Sequence, residues 1–481
     1  MNKSKKLMAL LFLASGFLYS CTKSFEETNT DPDRIDQISP GTLLNPIIYG
    51  MATFNMQRSD DITFNLMQVM LPFPSVSGGV HRYDLSDNIG NSTWNASYRW
   101  ITNVKEMYAA GAKAEDPNYQ AIAKTLNAWI YSNLTDCFGD VPMTEAGRGD
   151  ERIFQPRFDK QQEIYTKILG DLDSANILFK SAGSKAMIYG NDILFNNNTG
   201  LWRKFANSLQ LRLLLRLSKK TDLNTFAKIR TMIDKPADYP VFTTNAEAAV
   251  LSISGITPMA SPWGRPVDFT TFRAMAFFFL DNLNNLNDPR RTKFASEARN
   301  ASGSGNIGYK GIPSGYAGSE SQFSYIPSNG LQALVTGPMI CPIFPYAEVE
   351  FIKAELELHD MNLVAAKTAY EKGVKAAIEQ WGAVMPANYF TNTNAAFNNT
   401  LERIMLQKYY ALYFVDFQQW FEYRRTGFPV LPPGAGMGND KKMPSRFEYP
   451  LPVRTNNPAH YEEAKTSMGG DDINVKVWWE K

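Results

Sequence analysis

Residues 346–381, YAEVEFIKAELELHDMNLVAAKTAYEKGVKAAIEQW, carry the pattern from which the structural class of this chain can be inferred. In residues 363–381, apolar side chains recur every three or four positions, and lysines and glutamates occupy many of the positions between them. That spacing is typical of an amphipathic helix with one buried face. Residues 346–358 have similar spacing and end at the short break HDMN. The sequence therefore predicts two antiparallel helices joined by a tight turn.

Helical spacing continues on both sides of this pair. Apolar residues recur at the helical period in residues 119–135, 160–180, 200–219 and 401–425, whereas the alternation typical of strands is scarce. Small residues in 365–373 resemble those in the second helix of a tetratricopeptide unit, although no regular repeat runs along the chain. The sequence predicts a mainly α-helical body with tetratricopeptide-like helix pairs, an α-α superhelix.

Residues 401–425, LERIMLQKYYALYFVDFQQWFEYRR, contain eight aromatic side chains. These side chains fall on nearly every side of a helix, which is typical of a helix in the middle of a large helical domain. We therefore predict one continuous buried helix here, and we interpret its aromatic residues as core. Arg424 and Arg425 suit the negative end of that helix, and Gly427 marks its stop.

Three stretches lack helical spacing and interrupt the body. Residues 71–100, 255–273 and 300–345 are rich in Gly, Pro, Ser and Asn, with aromatic residues between them. Long loops inside a compact chain are commonly functional, and their aromatic content argues against simple disorder. We predict that these long irregular insertions hold the ligand site. Trp94 and Trp100 are interpreted as core because they lie at the start of an apparent helix.

The chemistry of sugar recognition selects the candidate residues within these loops. Sugars present C–H faces to aromatic rings, while amide, carboxylate and arginine side chains bind their hydroxyl groups. On this basis we predict ligand binding by six residues: Trp263, Arg265, Tyr309, Tyr316, Tyr325 and Tyr83. Each of them could equally anchor its own loop to the core.

The N-terminus has the features of an export signal. Three lysines precede the apolar residues 7–20, LMALLFLASGFLYS, which end at Cys21. Fourteen helical residues span about 21 Å, less than the ~30 Å apolar core of a bilayer, so we predict a signal peptide over residues 1–20. The sequence LYSC resembles a lipobox, which predicts cleavage before Cys21 and its lipidation. A simple signal peptide followed by a chance cysteine is the alternative.

Residues 21–40 are polar and are predicted to form a flexible tether, which leaves residues 41–481 as one folded domain. Glu26 and Glu27 resemble the acidic tags that direct some lipoproteins to the cell surface, and solvated linker charge explains them equally well. These features together predict a lipid-anchored protein of the outer membrane, exposed at the cell surface.

Charge and motif content exclude several classes of function. The chain has 49 basic and 48 acidic residues, and loss of the signal-peptide lysines leaves it near neutral, so we predict no nucleic-acid partner. The three histidines are far apart, and neither GxSxG nor a Walker motif occurs, so we predict no metal site, no cofactor and no catalytic residue. The alternative of a surface glycoside hydrolase would draw its acids from Asp136, Asp140 and Glu145, which we interpret as structural.

Only two cysteines remain after Cys21, so disulfides do not form the framework of the fold. Cys137 and Cys341 are interpreted as two small buried thiols, and the sequence leaves their pairing open.

Several separated segments together resemble the SusD/RagB family of outer-membrane nutrient-binding lipoproteins. These segments are FEETNTDPD (25–33), TDCFGDVPMTEA (135–146), LWRKFANSLQLRLLLRLS (201–218), DPRR (288–291), FPYAEVEFIKAELEL (344–358) with AAKTAYEKGVKAAIEQWG (365–382), QKYYALYFVDFQQWFEYRRTGFPVL (407–431) and PSRFEYPLPVRTNNPAHY (444–461). Arg454 departs from the family pattern, which often has an acid at that position. The order of the segments along the chain makes the resemblance more specific than any one motif.

The resemblance implies a helical SusD-like domain over residues 41–481 with an irregular face that meets a SusC-like, TonB-dependent outer-membrane transporter. It also implies that the protein closes over the transporter like a lid while a glycan or a similar nutrient is captured, and that it is not an enzyme. The identity of the ligand, whether glycan, glycopeptide or peptide, and the stoichiometry with the transporter stay open. An envelope lipoprotein that binds only protein is a further alternative.

Overall fold

Helices form most of the regular structure in residues 38–481, which are the residues that the computed structural model describes. The predicted signal peptide, the lipidation site Cys21 and the tether up to residue 37 lie outside the described residues. Across residues 38–481, no helix combines the length and the apolar character needed to cross a membrane.

The helices outnumber the strands in the described residues, as the sequence predicts. The helices are α1 (Pro40–Arg58), α2 (Phe64–Leu66), α3 (Asn91–Lys113), α4 (Pro117–Phe138), α5 (Gln161–Ala182), α6 (Thr199–Arg216), α7 (Thr225–Asp234), α8 (Phe277–Asn285), α9 (Arg291–Phe294), α10 (Tyr346–His359), α11 (Leu363–Gln380), α12 (Leu401–Ala411), α13 (Gln418–Thr426), α14 (Leu451–Asn456) and α15 (Pro458–Met468). The strands are β1 (Met70–Pro72), β2 (Ala249–Ile253), β3 (Arg273–Met275), β4 (Arg299–Asn300), β5 (Tyr325–Ile326) and β6 (Met339–Phe344), which pair antiparallel as β1 with β3, β2 with β6 and β4 with β5.

The helices α10 and α11 form the predicted pair. Gly373 in α11 faces the ring of Phe351 in α10, and a Cβ atom on this glycine would lie 3.1 Å from that ring. The two helices therefore pack closely because a small residue is present at the contact. The same principle applies between α1 and α3, where Gly50 lies directly against the ring of Trp100. The mainly α-helical class with paired helices is confirmed.

The predicted continuous helix over residues 401–425 is wrong. The structure has two helices, α12 and α13, separated by residues 412–417, in which Phe414 and Asp416 have left-handed φ values of 65° and 35°. Asp416 accounts for the break because its carboxylate accepts hydrogen bonds from the side chains of Asn133 and Gln418, at 3.1 and 2.9 Å. Side-chain hydrogen bonds of this kind compete with helical backbone bonding. Burial of the aromatic side chains around the break is confirmed.

Charged side chains meet in the interior between α6, α10, α12 and α13. Glu422 contacts Arg425 at 2.8 Å, Lys408 at 2.7 Å and Arg216 at 3.2 Å, and all four side chains are almost fully buried. Burial raises the pKa of Glu422, but the three cations outweigh this effect and hold it well below its usual range. We call these residues, together with the adjoining pair of Arg425 and Glu355 at 2.6 Å, the buried ion network. Such a network is stable only when every charge keeps its partners.

Candidate functional site

A cavity of about 390 Å³ opens where α1 ends. The residues that follow α1, Ser59–Thr63, form a π-helix, an irregular type of turn that is often found at functional sites. This turn and the loop before β3 supply most of the lining. The lining residues are Gln57, Asp60, Asp61, Asn65, Pro72, Trp263, Asp268, Phe272 and Arg273. We call this cavity the acidic–aromatic pocket.

Hydrogen bonds from α1 position the loop that forms one wall of this pocket. The side-chain amide of Gln57 donates to the carbonyl of Pro262 at 2.8 Å, and the Tyr49 hydroxyl donates to the carbonyl of Ala260 at 2.8 Å. Trp263 follows and packs edge-on against Phe269 and Phe414, with ring centroids 6.1 and 6.0 Å apart. The Trp263 side chain is therefore a wall anchored in the core, with only a small part of it facing the pocket.

The floor of the pocket contains a buried carboxylate. Asp60 forms an ion pair with Arg273, with 2.6 Å between carboxylate oxygen and guanidinium nitrogen. Burial raises the pKa of Asp60 to about 6, a shift that Arg273 opposes and the neighbouring Asp61 reinforces. A carboxyl group that titrates close to neutral pH inside a cavity is typical of a functional site.

Phe272 stands at the rim of the pocket with 77% of its surface exposed. Its φ of 55° lies in the left-handed region, which costs about 1–2 kcal/mol for a residue with a side chain. The backbone is held there by the pairing of β1 with β3 and by a 2.8 Å hydrogen bond from the Phe73 amide to the Phe272 carbonyl. The structure thus maintains an aromatic ring in water beside hydrogen-bonding carboxylates, which is the combination that sugar recognition uses.

Beyond Phe73 lies an aromatic cluster formed by Phe73, Tyr316, Phe323 and Tyr325. Phe323 lies at its centre, with ring centroids 5.0, 5.9 and 6.2 Å from those of Tyr316, Tyr325 and Phe73 respectively. The Tyr316 hydroxyl donates to Glu320 at 2.7 Å, and the Tyr325 hydroxyl donates to the Gly311 carbonyl at 2.9 Å. These bonds show that both hydroxyl groups hold the loop together.

The structure separates the six predicted ligand residues. Trp263 lines the acidic–aromatic pocket, and Arg265 lies next to it, highly exposed and paired with the lining residue Asp268 at 3.3 Å. Tyr316 and Tyr325 join the aromatic cluster. Tyr309 lies elsewhere, half-buried, with the guanidinium of Arg291 5.7 Å from its ring centroid.

Three of the predicted residues have largely buried rings, although stacking on a sugar needs an accessible ring. Tyr83 is 4%, Tyr316 6% and Trp263 9% exposed, and of these three only Trp263 lines the pocket. Tyr83 has a left-handed φ of 60°, and this turn directs its side chain into the core, where burial raises its pKa. Phe272 was missed because the sequence does not reveal that a strand pairing holds its ring outward. The sequence feature that could have indicated Phe272 is its position near the end of residues 255–273, one of the loops predicted to hold the ligand site.

The acids proposed for the hydrolase alternative have structural roles. Asp136 is almost fully buried and accepts hydrogen bonds from the Tyr165 hydroxyl and the Trp479 indole, both at 2.7 Å. Burial raises its pKa to about 6, against the opposing effect of Arg216. Asp140 accepts a hydrogen bond from the Gln161 amide at 2.9 Å, which holds the start of α5. Glu145, the third of these acids, accepts hydrogen bonds from the backbone amide and the guanidinium of Arg157, both at 2.8 Å. These contacts agree with the structural interpretation of the three acids.

The cysteines are also structural. Cys137 and Cys341 are both free and buried, which confirms their interpretation as separate thiols. Burial raises the pKa of each thiol. Among residues 38–481, no three His, Cys, Asp or Glu side chains are grouped so that they could hold a metal ion.

A larger cavity of about 640 Å³ lies between α3, α4 and α5. Its carboxylates already have partners: Asp171 pairs with Lys124 at 2.7 Å, and Asp159 accepts from the backbone amides of Met143 and Thr144 at 2.7 and 2.9 Å. Carboxylates of the acidic–aromatic pocket are paired as well, so exposed aromatic surface separates the two cavities: Tyr108 in the larger one is 38% exposed, whereas Phe272 is 77% exposed. We therefore place the candidate site at the acidic–aromatic pocket.

Comparison with known proteins matches residues 32–450 to a SusD-like family described as starch-binding and associating with the outer membrane. No curated protein matches the chain. Among solved structures, a SusD homolog from Bacteroides fragilis NCTC 9343 is 23% identical, with a TM-score of 0.77, and the match covers 92% of this chain and 100% of that one.

Two further solved structures are similar over the same extent. A chitin-binding protein and an outer-membrane protein from Bacteroides vulgatus ATCC 8482, whose description refers to nutrient binding, are each 24% identical, with TM-scores of 0.79. Each match covers 92% of this chain and 100% of the other protein. At this identity the likeness shows a shared fold.

Proposed function

Because this chain belongs to the SusD-like family associated with the outer membrane, we propose that it is a surface lipoprotein that binds a glycan and delivers it to a TonB-dependent, SusC-like transporter. The family description includes starch binding, and one structural neighbour is described as chitin-binding. These descriptions support a glycan over a peptide as the ligand of this chain.

The observation that carries the proposal is the combination of groups in the acidic–aromatic pocket. Phe272 offers an exposed ring, and Asp60 and Asp61 offer carboxylate oxygens within the same cavity. A pyranose ring can place its C–H face on the phenyl ring while its hydroxyl groups donate to the carboxylates. Hydrogen bonds to an ionised acceptor are about twice as strong as those between neutral groups, so this pocket suits a ligand rich in hydroxyl groups.

Delivery to a transporter needs a protein that remains at the membrane. We propose that the lipid on Cys21 anchors the chain and that residues 22–40 act as a tether, which lets the folded domain move relative to the transporter. The LYSC sequence and the polar composition of the tether support this part of the proposal.

We also propose that binding leaves the glycan intact. Asp136 and Asp140, the acids suggested for hydrolysis, are buried and hold helices in place. Asp60 has Arg273 as a partner inside the pocket floor, which suits an acceptor of hydrogen bonds. The geometry of the pocket therefore favours capture of the ligand over cleavage.

The test is titration calorimetry of residues 22–481 with maltohexaose, cellohexaose, chitohexaose and xylohexaose. Replacement of Phe272 by Ala is expected to weaken binding of the preferred oligosaccharide about tenfold, because a stacking contact of ~1–1.5 kcal/mol is lost. Phe272→Tyr should retain most of the affinity.

The matched control is Ile177→Ala, which removes another highly exposed apolar side chain, 65% exposed, from α5 and outside the pocket lining. Equal affinity of Phe272→Ala and the unmodified protein would reject the pocket as the site. Shortened oligosaccharides after incubation would reject a purely binding role and support the hydrolase alternative.

A further inference from the structure

A second cleft, of about 320 Å³, opens at the N-terminal end of α3. Its walls come from the start of α3, from residues 142–158 and from α14 with the residues on either side of it. We call it the amide–aromatic cleft. The lining residues are Asn91, Trp94, Asn95, Tyr98, Pro142, Ala146, Gly147, Phe154, Pro156, Phe158, Pro450, Pro452, Val453, Asn456 and Asn457. None of them lines the acidic–aromatic pocket.

Aromatic rings form one side of this cleft. Trp94 lies 5.0 Å from Tyr98 and 6.2 Å from Phe158, measured between ring centroids. The Tyr98 hydroxyl donates to the Pro142 carbonyl at 2.7 Å, which fixes the position of the Tyr98 ring. Phe154 differs from the others because 77% of its surface is exposed. An exposed ring in the same cleft as anchored aromatic rings offers apolar surface to a ligand.

The polar groups of the cleft are amides. Four asparagines line it, and none of its described lining residues carries a charge. Asn457 is 6% exposed, and its Nδ2 donates to the Pro156 carbonyl at 2.7 Å. Its Oδ1 has no hydrogen-bond partner among the described residues. This buried atom is closed off from the cleft. Asn95 and Asn456, by contrast, are exposed, so their amides can exchange hydrogen bonds with the hydroxyl groups of a ligand.

We propose that the amide–aromatic cleft is a second binding site, and that it takes a short segment of a neutral oligosaccharide. The absence of charge on the lining favours a neutral ligand, and amides both donate to and accept from hydroxyl groups. The volume lies at the lower end of the ~300–1,000 Å³ typical of ligand pockets. Two sites on one chain would hold a long glycan more tightly than either site alone.

A proline-rich peptide also stacks on aromatic rings, but proline lacks an N–H group, so such a peptide brings few donors for the exposed amides of Asn95 and Asn456. An oligosaccharide carries hydroxyl donors on every ring. The cleft therefore suits the oligosaccharide better. This proposal uses different residues from those of the proposed function and stands or falls separately from it.

The test uses the same four hexasaccharides with the Phe154→Ala variant, measured by titration calorimetry. The substitution removes an exposed ring, so the melting temperature should stay unchanged. We expect binding of at least one hexasaccharide at the cleft to weaken about tenfold and Phe154→Trp to restore it. Ile177→Ala again serves as the control for loss of an exposed apolar side chain.

The outcomes separate this site from the acidic–aromatic pocket. Weakening by Phe154→Ala alone supports the cleft and rejects the pocket, whereas weakening by Phe272→Ala alone does the reverse. If no hexasaccharide responds to Phe154→Ala, the cleft is not an oligosaccharide site. Binding of decaproline that depends on Phe154, without any response to the hexasaccharides, also overturns the proposal.

Discussion

The buried ion network and the edge of the acidic–aromatic pocket each contain an arginine–carboxylate pair, and these two pairs differ in their contact with water. In the network, Arg425 and Glu355 are almost fully buried and lie 2.6 Å apart. At the edge of the pocket, Arg265 and Asp268 lie 3.3 Å apart and are 76% and 56% exposed. Breaking the buried pair would destabilise the fold strongly. In the exposed pair, a side chain can bind a ligand instead of its partner at little cost in free energy.

The two regions also differ in how they relate to the sequence. Arg216, Lys408 and Glu422 of the network belong to segments that carry the family resemblance, 201–218 and 407–431. The pocket walls come from residues 57–72 and 263–273, outside those segments. The resemblance therefore indicates what holds the helices together, whereas the proposed ligand pocket is built from chain segments that the resemblance does not cover.

The largest expected effect follows from removing a charge at the centre of the network. Replacement of Glu422 by Ala leaves Lys408, Arg216 and Arg425 without this shared carboxylate. We expect the free energy of unfolding, measured by chemical denaturation, to fall by about 3–5 kcal/mol. Asp268→Ala at the exposed pair is the matched control, with an expected loss below ~0.5 kcal/mol. Similar losses in the two variants would remove the distinction between the regions.

A smaller effect is expected from pH, because Asp60 of the pocket has a pKa near 6. At pH 7 most of this carboxyl group is ionised and accepts hydrogen bonds, while at pH 5 most of it is protonated. Glycan affinity should therefore fall several-fold as the pH is lowered through 6. In the Asp60→Asn variant the affinity should be low and nearly independent of pH. A wild-type affinity that stays constant from pH 7 to 5 would contradict a role for this carboxylate.

The same group affects stability in the opposite direction. The pKa of Asp60 is raised in the folded state, so the folded protein binds the proton more tightly than the unfolded chain does. Its contribution to stability therefore increases as the pH falls from about 7 towards 4. Weaker binding at pH 5 thus cannot be attributed to unfolding caused by Asp60, and a melting curve at each pH verifies this.

The smallest effect is expected at Arg265, which the sequence placed among the ligand residues. Its guanidinium is 76% exposed and pairs with Asp268, itself in contact with water. We expect Arg265→Ala to change oligosaccharide affinity by less than about threefold and the unfolding free energy by less than ~0.5 kcal/mol. A loss of tenfold or more in calorimetry would show that the arginine binds the ligand directly.

Local sequence patterns predicted the helices well because the spacing of apolar residues in a helix shows which of its faces is buried. The break between α12 and α13 was not predictable, since Asp416 is held by Asn133 and by the Thr63 hydroxyl, which donates to its carbonyl at 2.9 Å from far away in sequence. The exposure of Phe272 likewise depends on pairing with β1, some two hundred positions earlier. When contacts with residues far away in sequence determine the conformation and exposure of a side chain, the local sequence pattern does not predict them.

The contact between Trp263 and Phe414 has a consequence for the order of events during biogenesis. Residues 57–72 leave the ribosome and the export machinery early, residue 263 much later, and residue 414 later again. Trp263, which forms one wall of the pocket, packs against the ring of Phe414. The pocket therefore reaches its final geometry only after the chain near residue 414 has emerged and packed. A chain interrupted before that point should therefore lack the mature recognition surface even if its early helices have already formed.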